Sequence, residues 1–237
     1  MTAGTDPTAA TPQTPQTPQR GWGGGGGETT TLVLVRHGVT VHTAEKRFSG
    51  GLTGANPPLS DAGREQARAT AAWLAPALPA DAVLVTSPVR RTVETAGVLA
   101  EVTGLGPAGT EDGFAETDFG GWEGMTFAEV RAADAAALDT WVASPDVAAG
   151  GTGESFGAVR DRVLAARDRV LASYAGRTVV VVSHVTPIKV LVADALGAPL
   201  SALYAMELSP ASVTVVAHAG GRASVRGFDT GPHTPRL

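Results

Sequence analysis

The chain has no cysteine, and it has no apolar run long enough to cross a bilayer. Without cysteine there can be no disulfide, no thiolate nucleophile and no cysteine-ligated zinc, which favours a bacterial cytoplasmic setting. A spanning helix needs roughly 18 consecutive apolar residues, and the first thirty residues also lack the apolar core of a signal peptide. The sequence therefore predicts a soluble, cytoplasmic protein with no membrane partner.

An excess of basic residues is also missing. The 237 residues include 18 Lys and Arg against 23 Asp and Glu, which gives a formal net charge of -5. Nucleic acids and anionic membranes attract proteins through clustered positive charge, so neither partner has global electrostatic support. Any site for an anion has to be built locally.

Composition divides the chain near residue 30. The first part contains the repeat TPQTPQTPQ at 11–19 and five consecutive glycines at 23–27. Such a segment cannot bury enough apolar surface to offset the entropy lost on ordering. We predict a disordered tail or linker over residues 1–30 and one domain over residues 31–230.

Strands and helices are predicted to alternate through that domain. Buried strands are predicted at 31–35, 82–86 and 178–183, and a final strand near the sheet edge at 212–217. Helices are predicted at 61–75, 88–102, 127–142, 155–174 and 187–196. This alternation is typical of a three-layer α/β/α sandwich around a mostly parallel sheet.

Polar side chains follow three of the predicted strands. Arg36 and His37 follow the first strand, the turn SPVRR at 87–91 follows the second, and Ser183 with His184 closes the strand TVVVVS. Ligands bind at the carboxyl ends of strands in open α/β sheets. Because arginine matches phosphate oxygens and neutral imidazole is a nucleophile, these residues predict a site for a phosphoryl group that requires no metal.

A fourth segment supplies carboxyl groups. The loop FAETDFGGWEG at 114–124 contains Glu116 and Glu123, and departure of an alkoxide from phosphorus needs a proton donor. Either glutamate could serve on this evidence alone.

Several ordered motifs carry a resemblance to a known family. They are LVRHG at 34–38, RFSG at 47–50, PLSDAGREQA at 58–67, SPVRRTVETA at 87–96, ETDFGGWEG at 116–124, GES at 153–155 and VVSHVTPIK at 181–189. Together they resemble the histidine phosphatase superfamily, in the phosphoglycerate mutase-like branch with the α-ribazole phosphatases. The segment SHVTPIK is most similar to the acid phosphatase domain of fused ribonuclease H/acid phosphatase proteins.

The resemblance implies roles for individual residues. His37 would be the phosphorylated nucleophile, and Glu116 would donate a proton to the leaving group and then activate water. The phosphoryl oxygens would be held by Arg36, Arg91 and His184. Glu123 would order its loop. No cofactor and no metal are implied.

Four positions depart from the family pattern. Val39 stands where the family usually has Glu or Gln, and Thr43 stands where it usually has Asn. Val185 and Thr186 stand where the family commonly has glycines. Thr43 can still donate a hydrogen bond to phosphate, whereas Val39 cannot. We therefore expect looser phosphate binding and broader substrate choice.

The resulting hypothesis is a metal-independent phosphomonoesterase acting on a small phosphorylated metabolite. A phosphoglycerate mutase-type phosphotransferase is less favoured because the segment between Glu116 and His184 is short for a mutase lid. A weakly catalytic phosphate-binding module is the third alternative. The oligomeric state stays open, with a dimer among the alternatives.

Two other motifs are interpreted as structural. The sequence GESFG at 153–157 fits a serine nucleophile elbow, but no strand precedes it, so Ser155 is predicted to cap a helix. The sequence GLGPAG at 104–109 fits a dinucleotide fingerprint but follows a helix. His42, His218 and His233 have no partner pattern, and we assign them to the surface or to loops.

Overall fold

The computed structural model describes residues 28–107 and 109–232. Within these ranges it contains six strands, all in one sheet. They are β1 (Thr30–Arg36), β2 (Val83–Thr86), β3 (Gly109–Thr110), β4 (Thr178–Ser183), β5 (Val213–Ala219) and β6 (Arg222–Thr230).

Seven α-helices surround the sheet in the described part of the chain. They are α1 (Val41–Ala44), α2 (Asp61–Leu74), α3 (Arg90–Thr103), α4 (Phe127–Ala133), α5 (Ala135–Ala143), α6 (Phe156–Ser173) and α7 (Val185–Leu196). None of the described helices is both long and apolar enough to cross a membrane.

The sheet has the strand order β3-β2-β4-β1-β5-β6. The first four strands in this order run parallel to one another, whereas β5 pairs antiparallel with β1 and β6 pairs antiparallel with β5. The predicted α/β fold with a mostly parallel sheet is therefore confirmed, with two antiparallel strands on one side.

Helices cover the sheet on both faces. Alternate residues of β1 point to opposite faces, as they do in any strand. Val33 and Val35 pack in the apolar cluster that contains side chains of α2 and α3. Leu32 and Leu34 pack in the larger cluster that contains side chains of α6 and α7. All four aliphatic residues are at most 5% exposed, which explains the unbroken apolar run in the sequence.

Helix boundaries follow the capping residues. Ser60 caps α2 and Ser155 caps α6 through side-chain oxygens that accept from Gly63 N and Ala158 N. Gly104 ends α3 in the left-handed conformation, with φ of 74°. The assignment of Ser155 to a cap and of Gly104 to a helix end is confirmed.

Three predicted boundaries differ from the structure. Residues 127–142 form two helices because Asp134 ends α4 and caps α5. Helix α3 begins at Arg90 with Val89 as its cap, two residues after Pro88. The strand after residue 212 is not the last, since β6 lies outside it at the sheet edge.

The predicted tail lies almost entirely outside the described residues. Of residues 1–30 only the last three are described, and Thr30 is already the first residue of β1. The proposed domain ends at residue 230, where β6 also ends.

Candidate active site

A cavity of about 510 Å³ opens at the carboxyl edge of the parallel strands. Arg36 ends β1 and His37 follows it, while Ser183 ends β4 and His184 follows. Residues 36 and 183 are partners in the β1–β4 register, so the two histidines leave neighbouring strands side by side. Their ring centroids are 5.2 Å apart. The topology therefore brings the two predicted histidines into one site.

His37 is held as a neutral imidazole whose unprotonated nitrogen is Nε2. Its Nδ1 lies 2.7 Å from the carbonyl oxygen of Gly38, which can only accept, so Nδ1 carries the proton. The other nitrogen, Nε2, accepts from Arg91 Nε at 3.1 Å. Burial, together with the positive charges of Arg91 and Arg36, lowers the pKa of His37 well below 6.5. The Nε2 lone pair is thus available at neutral pH.

Two guanidinium groups border this nitrogen. Arg91 is 2% exposed, and its Nη2 donates to the carbonyl oxygen of Ser49 at 2.8 Å. Arg36 donates from Nη1 to the carbonyl oxygen of Leu208. Burial lowers the pKa of Arg36 to about 10, which still leaves it charged at neutral pH. Arg36 Nε and Arg91 Nη1 have no hydrogen-bond partner among the described residues, so each guanidinium retains an unused donor.

His184 presents a third unused group. The ring is fully buried, and its Nε2 lies 2.8 Å from Ser87 Oγ. The same oxygen accepts from Val89 N. In the tautomer in which the Ser87 hydroxyl donates to Nε2, the imidazole proton lies on Nδ1. Nδ1 has no partner in the described part of the chain. Burial, with the charge of Arg91, lowers the pKa of His184 well below 6.5.

Glu116 lies beside this group at the amino end of α7. It is 8% exposed, and it lines the same cavity as His37. Its Oε1 accepts from Thr117 N at 2.9 Å and from Thr186 N at 3.3 Å. These two backbone donors fix the position of the carboxyl group relative to the histidines.

Arg162, in α6, holds the Glu116 loop and was not identified from the sequence. It donates to the carbonyl oxygens of Gly113, Ala115 and Glu116 at 2.9, 2.7 and 3.0 Å. The Arg/Asp-rich pattern of this helix is typical of a solvated face, but Arg162 is turned towards the loop. The GES motif next to it is the signal that could have revealed the contact, because its Glu154 pairs with Arg162.

Glu123 occupies a different position from Glu116. Its Oε1 accepts from Gly50 N at 2.8 Å and from Phe119 N at 3.1 Å. It therefore joins the loop that carries it to the loop that contains Gly50. This contact agrees with the loop-ordering role inferred for Glu123.

Two of the departures from the family pattern, Thr43 and Val39, lie in the segment that follows His37. Thr43 lines the cavity from α1, with its hydroxyl 3.1 Å from the hydroxyl of Thr40. Val39 uses its backbone instead, since its N–H donates to Gln66 Oε1 and its carbonyl accepts from Ser60. The phosphate contact of Thr43 remains a prediction.

The remaining histidines fall in three different places. His42 lines the cavity wall rather than the outer surface, so its assignment to an ordinary surface position was incomplete. His218 lies in β5, partly buried, and its pKa is lowered by that burial. His233 lies outside the described residues.

The outer part of the cavity is lined by aromatic rings. Phe48 and Phe119 lie 4.7 Å apart at their centroids, and Trp141 and Phe156 lie 4.9 Å apart. The cavity therefore combines a charged inner end with an apolar outer wall. No group of three or more His, Asp or Glu side chains suited to a metal occurs within residues 28–107 and 109–232.

Comparison with known proteins agrees with this arrangement. Residues 32–230 match the model of the histidine phosphatase superfamily, branch 1. The chain is 41% identical over 207 residues to a bifunctional protein of Mycobacterium tuberculosis, covering 87% of this chain and 55% of that protein. The chain thus spans about half the length of the first curated relatives it matches.

Two further relatives are matched over most of their length. Phosphoserine phosphatase 1 of Hydrogenobacter thermophilus is 34% identical over 187 residues, which are 78% of this chain and 85% of that protein. The structure of mycobacterial glucosyl-3-phosphoglycerate phosphatase complexed with VO3 has a TM-score of 0.74 and 30% identity, over 85% of this chain and 99% of that one. The chain belongs to the histidine phosphatase superfamily.

Proposed function

We propose that the protein is a metal-independent phosphomonoesterase that hydrolyses small phosphate monoesters through a phosphohistidine on His37. The observation that carries this proposal is the fixed lone pair on His37 Nε2, beside two guanidinium groups and an imidazole that retain unused donors. Phosphoryl transfer depends above all on positioning and on neutralising the oxygens. Arg36, Arg91 and His184 supply both functions here.

The reaction would run in two steps. In the first, His37 Nε2 bonds to phosphorus, the bond from phosphorus to the ester oxygen breaks, and Glu116 gives its proton to the departing alkoxide. In the second, water attacks the phosphohistidine, Glu116 accepts a proton from it, and the bond between phosphorus and Nε2 breaks. One carboxyl group serves as acid and then as base, so the cycle ends as it began.

Two relatives support the choice of ligand. The name of one describes a phosphatase of phosphoserine, and the structure of another holds VO3, an oxyanion. Both are consistent with an oxyanion at the inner end of the cavity. Neither specifies the alcohol that this chain releases.

The test is the replacement His37→Ala, assayed with p-nitrophenyl phosphate. Turnover should fall by at least about 1,000-fold, as expected when a covalent nucleophile is lost. His218→Ala is the matched control, because His218 lies in β5 and does not line the cavity. Rapid acid-free quenching of the wild-type enzyme during turnover should show acid-labile phosphate on His37.

Three results would overturn the proposal. Full turnover by the His37→Ala variant would show that another group attacks phosphorus. Tight phosphate binding by the wild-type protein without turnover or a phosphoenzyme would indicate a binding module. Transfer of the phosphoryl group to a second alcohol in preference to water would indicate a mutase-type phosphotransferase.

A further inference from the structure

Aromatic residues are scarce in this chain but concentrated beside the cavity. The sequence has four tryptophans, two tyrosines and six phenylalanines. Seven of these rings form one contact network, whose members are Phe48, Phe119, Trp122, Phe127, Trp141, Phe156 and Tyr204. All except Trp122 line the cavity that contains His37. The network is therefore a wall of the site as well as part of the core.

The rings reach the cavity from separate parts of the chain. Trp141, from α5, is the centre of the wall, with ring centroids of Phe48 at 6.1 Å and Tyr204 at 6.3 Å. Phe127 in α4 contacts both Phe48, at 5.4 Å, and Trp141, at 6.3 Å. Offset and edge-to-face contacts at such distances are the arrangements that aromatic rings prefer. The wall can accept one more ring in the same way.

Two members of the wall are left partly uncovered. Phe127 is 44% exposed and Tyr204 is 46% exposed, whereas Trp141 beneath them is 3% exposed. A network that served only as core would bury all its rings, since each ring covered contributes roughly 25 cal/mol for every Å² removed from water. The exposed rings at the mouth of the cavity are therefore available to a ligand.

The outer cavity has few fixed cations for a second anionic group. Of the three cations on its wall, Arg47 already donates to Glu45 and Glu129, and Lys189 donates to the carbonyl oxygen of Leu203. The third, Lys46, is exposed. The fixed cations with unused donors, Arg36 and Arg91, lie instead at the inner end, beside His37.

We propose that the aromatic wall binds the alcohol part of the substrate, and that this alcohol carries a flat aromatic ring joined to the phosphate by a short arm. The proposal rests on the proposed function, because the inner end of the cavity must hold the phosphoryl group. The volume of about 510 Å³ is in the range of pockets that enclose small organic ligands. The carboxylate of a polyanionic ester such as 3-phosphoglycerate gains no favourable contact from the aromatic rings themselves.

The test compares benzyl phosphate with ethyl phosphate. Both release an alkoxide, so both require the same proton from Glu116, and a difference in kcat/KM reports how the ring is bound. We expect kcat/KM to be at least about 10-fold higher for benzyl phosphate, which corresponds to partial burial of one ring. The value for 3-phosphoglycerate should lie below that for benzyl phosphate by a similar factor.

Variants of the aromatic wall test whether it causes the preference for benzyl phosphate over ethyl phosphate. Phe127→Ala and Tyr204→Ala should each lower the ratio of the two kcat/KM values by about 3- to 10-fold, as expected for loss of an aromatic contact. Trp73→Ala is the matched control, because Trp73 is 47% exposed on α2 and does not line the cavity. Its ratio should equal that of the wild-type protein.

Equal kcat/KM values for the two esters would overturn the aromatic subsite while leaving the phosphatase intact. A ratio unchanged by both wall variants would do the same. Absence of turnover with every ester would contradict the proposed function, and calorimetry with benzylphosphonate and ethylphosphonate would then decide the subsite. Tighter binding of benzylphosphonate supports it, and equal binding rejects it.

Discussion

Arg162 and Glu154 form a two-pronged ion pair, with Nε to Oε1 at 2.7 Å and Nη2 to Oε2 at 2.8 Å. The remaining donors of Arg162 go to backbone carbonyl oxygens of the loop that carries Glu116. Glu154 also accepts from Asp118 N at 3.0 Å, on the other side of the same loop. The pair therefore fixes both ends of the segment that presents the proposed proton donor.

Replacing Arg162 with Lys should impair proton donation more than phosphate binding. Lysine keeps the charge but cannot match the fork geometry of the guanidinium. We expect kcat for ethyl phosphate to fall by about 10-fold or more, because general acid catalysis is worth roughly 100- to 10,000-fold. For 2,4-dinitrophenyl phosphate, which needs no proton, the loss should stay below about 3-fold on the same reasoning.

Arg169→Lys is the control for that measurement. Arg169 lies in the same helix and pairs with Glu111, away from the Glu116 carbonyl. It should retain both activities. Equal losses for the two esters in Arg162→Lys would show that Arg162 merely supports the fold.

Stability should fall as the pH is lowered below 6.5. His37 and His184 have a pKa well below 6.5 in the folded protein, so the unfolded chain binds protons that the folded chain excludes. The free energy of unfolding therefore decreases as the pH falls from 6.5 towards the pKa values of the two histidines in the folded protein. The decrease is at most about 1.4 kcal/mol per pH unit for each histidine. Urea unfolding between pH 5 and 7.5 measures this slope.

His37→Gln should make that slope shallower, since it removes one of the two buried imidazoles. For the same reason, kcat/KM of the wild-type enzyme should hold below pH 6.5, where His37 remains neutral. A kcat/KM that decreased on acidification with an apparent pKa of 6.5 or higher would contradict the lowered pKa of His37.

Oxyanions should bind at the inner end of the cavity and stabilise the protein. Vanadate or phosphate would engage Arg36 Nε, Arg91 Nη1 and His184 Nδ1, which lack partners among the described residues. Hydrogen bonds to charged groups contribute about 1.5–3 kcal/mol each, so Arg91→Lys should weaken vanadate binding by roughly 10- to 100-fold. Competitive inhibition constants provide the measurement.

The same assay tests Thr43. If its hydroxyl contacts the phosphoryl group, Thr43→Val should weaken vanadate binding by a few-fold, whereas Thr43→Asn should strengthen it. Arg68→Lys on α2 provides a control, because Arg68 pairs with Glu65 at the surface. Unchanged affinity in both Thr43 variants would remove Thr43 from the proposed site.

Gly63 should not tolerate a side chain. A Cβ at Gly63 would overlap the carbonyl oxygen of Val39, and one at Gly38 would overlap that of Gly63. Gly63→Ala should therefore reduce the free energy of unfolding by about 1–3 kcal/mol, as overpacking does. It should also lower kcat, because the strained segment adjoins His37.

Gly97→Ala is the matched control in α3. A Cβ there would meet nothing within 4 Å, so this variant should be more stable by about 0.5–1 kcal/mol through helix propensity alone. Thermal unfolding of both variants gives the comparison. A stable, active Gly63→Ala protein would show that α2 and the His37 loop can move apart.

The sequence was sufficient to place three of the four parallel strands and the residues at their ends, whereas the two-residue strand β3 was missed. Val179 to Val182 are fully buried, so both faces of β4 had to be apolar, and the pattern could be read without the structure. His37 and His184 follow such strands directly, and sheet topology then brings them together. Glu116 was identified through the family motif, since a loop position carries no periodic signal.

The contacts missed from the sequence depend on distant partners. Arg162 lies among Arg and Asp residues typical of a surface helix, and apart from the nearby GES motif only the packing of α6 against the Glu116 loop distinguishes it. Strand β6 alternates exposed and partly buried residues without a long apolar run, so no strand was predicted there. The break at Asp134 is a capping choice that helical periodicity does not reveal.

Strand β1 runs from the amino edge of the sheet to the carboxyl edge, where the cavity lies. Thr30 begins this central strand and Arg36 ends it, so about 20 Å of extended chain lies between the residue that joins the preceding segment and the histidine that follows. A fusion partner or an immobilising tag attached ahead of residue 28 would be tethered at the amino edge of the sheet. Substrates would still reach the opposite edge, which makes this end of the chain the suitable one for surface capture in binding and turnover experiments.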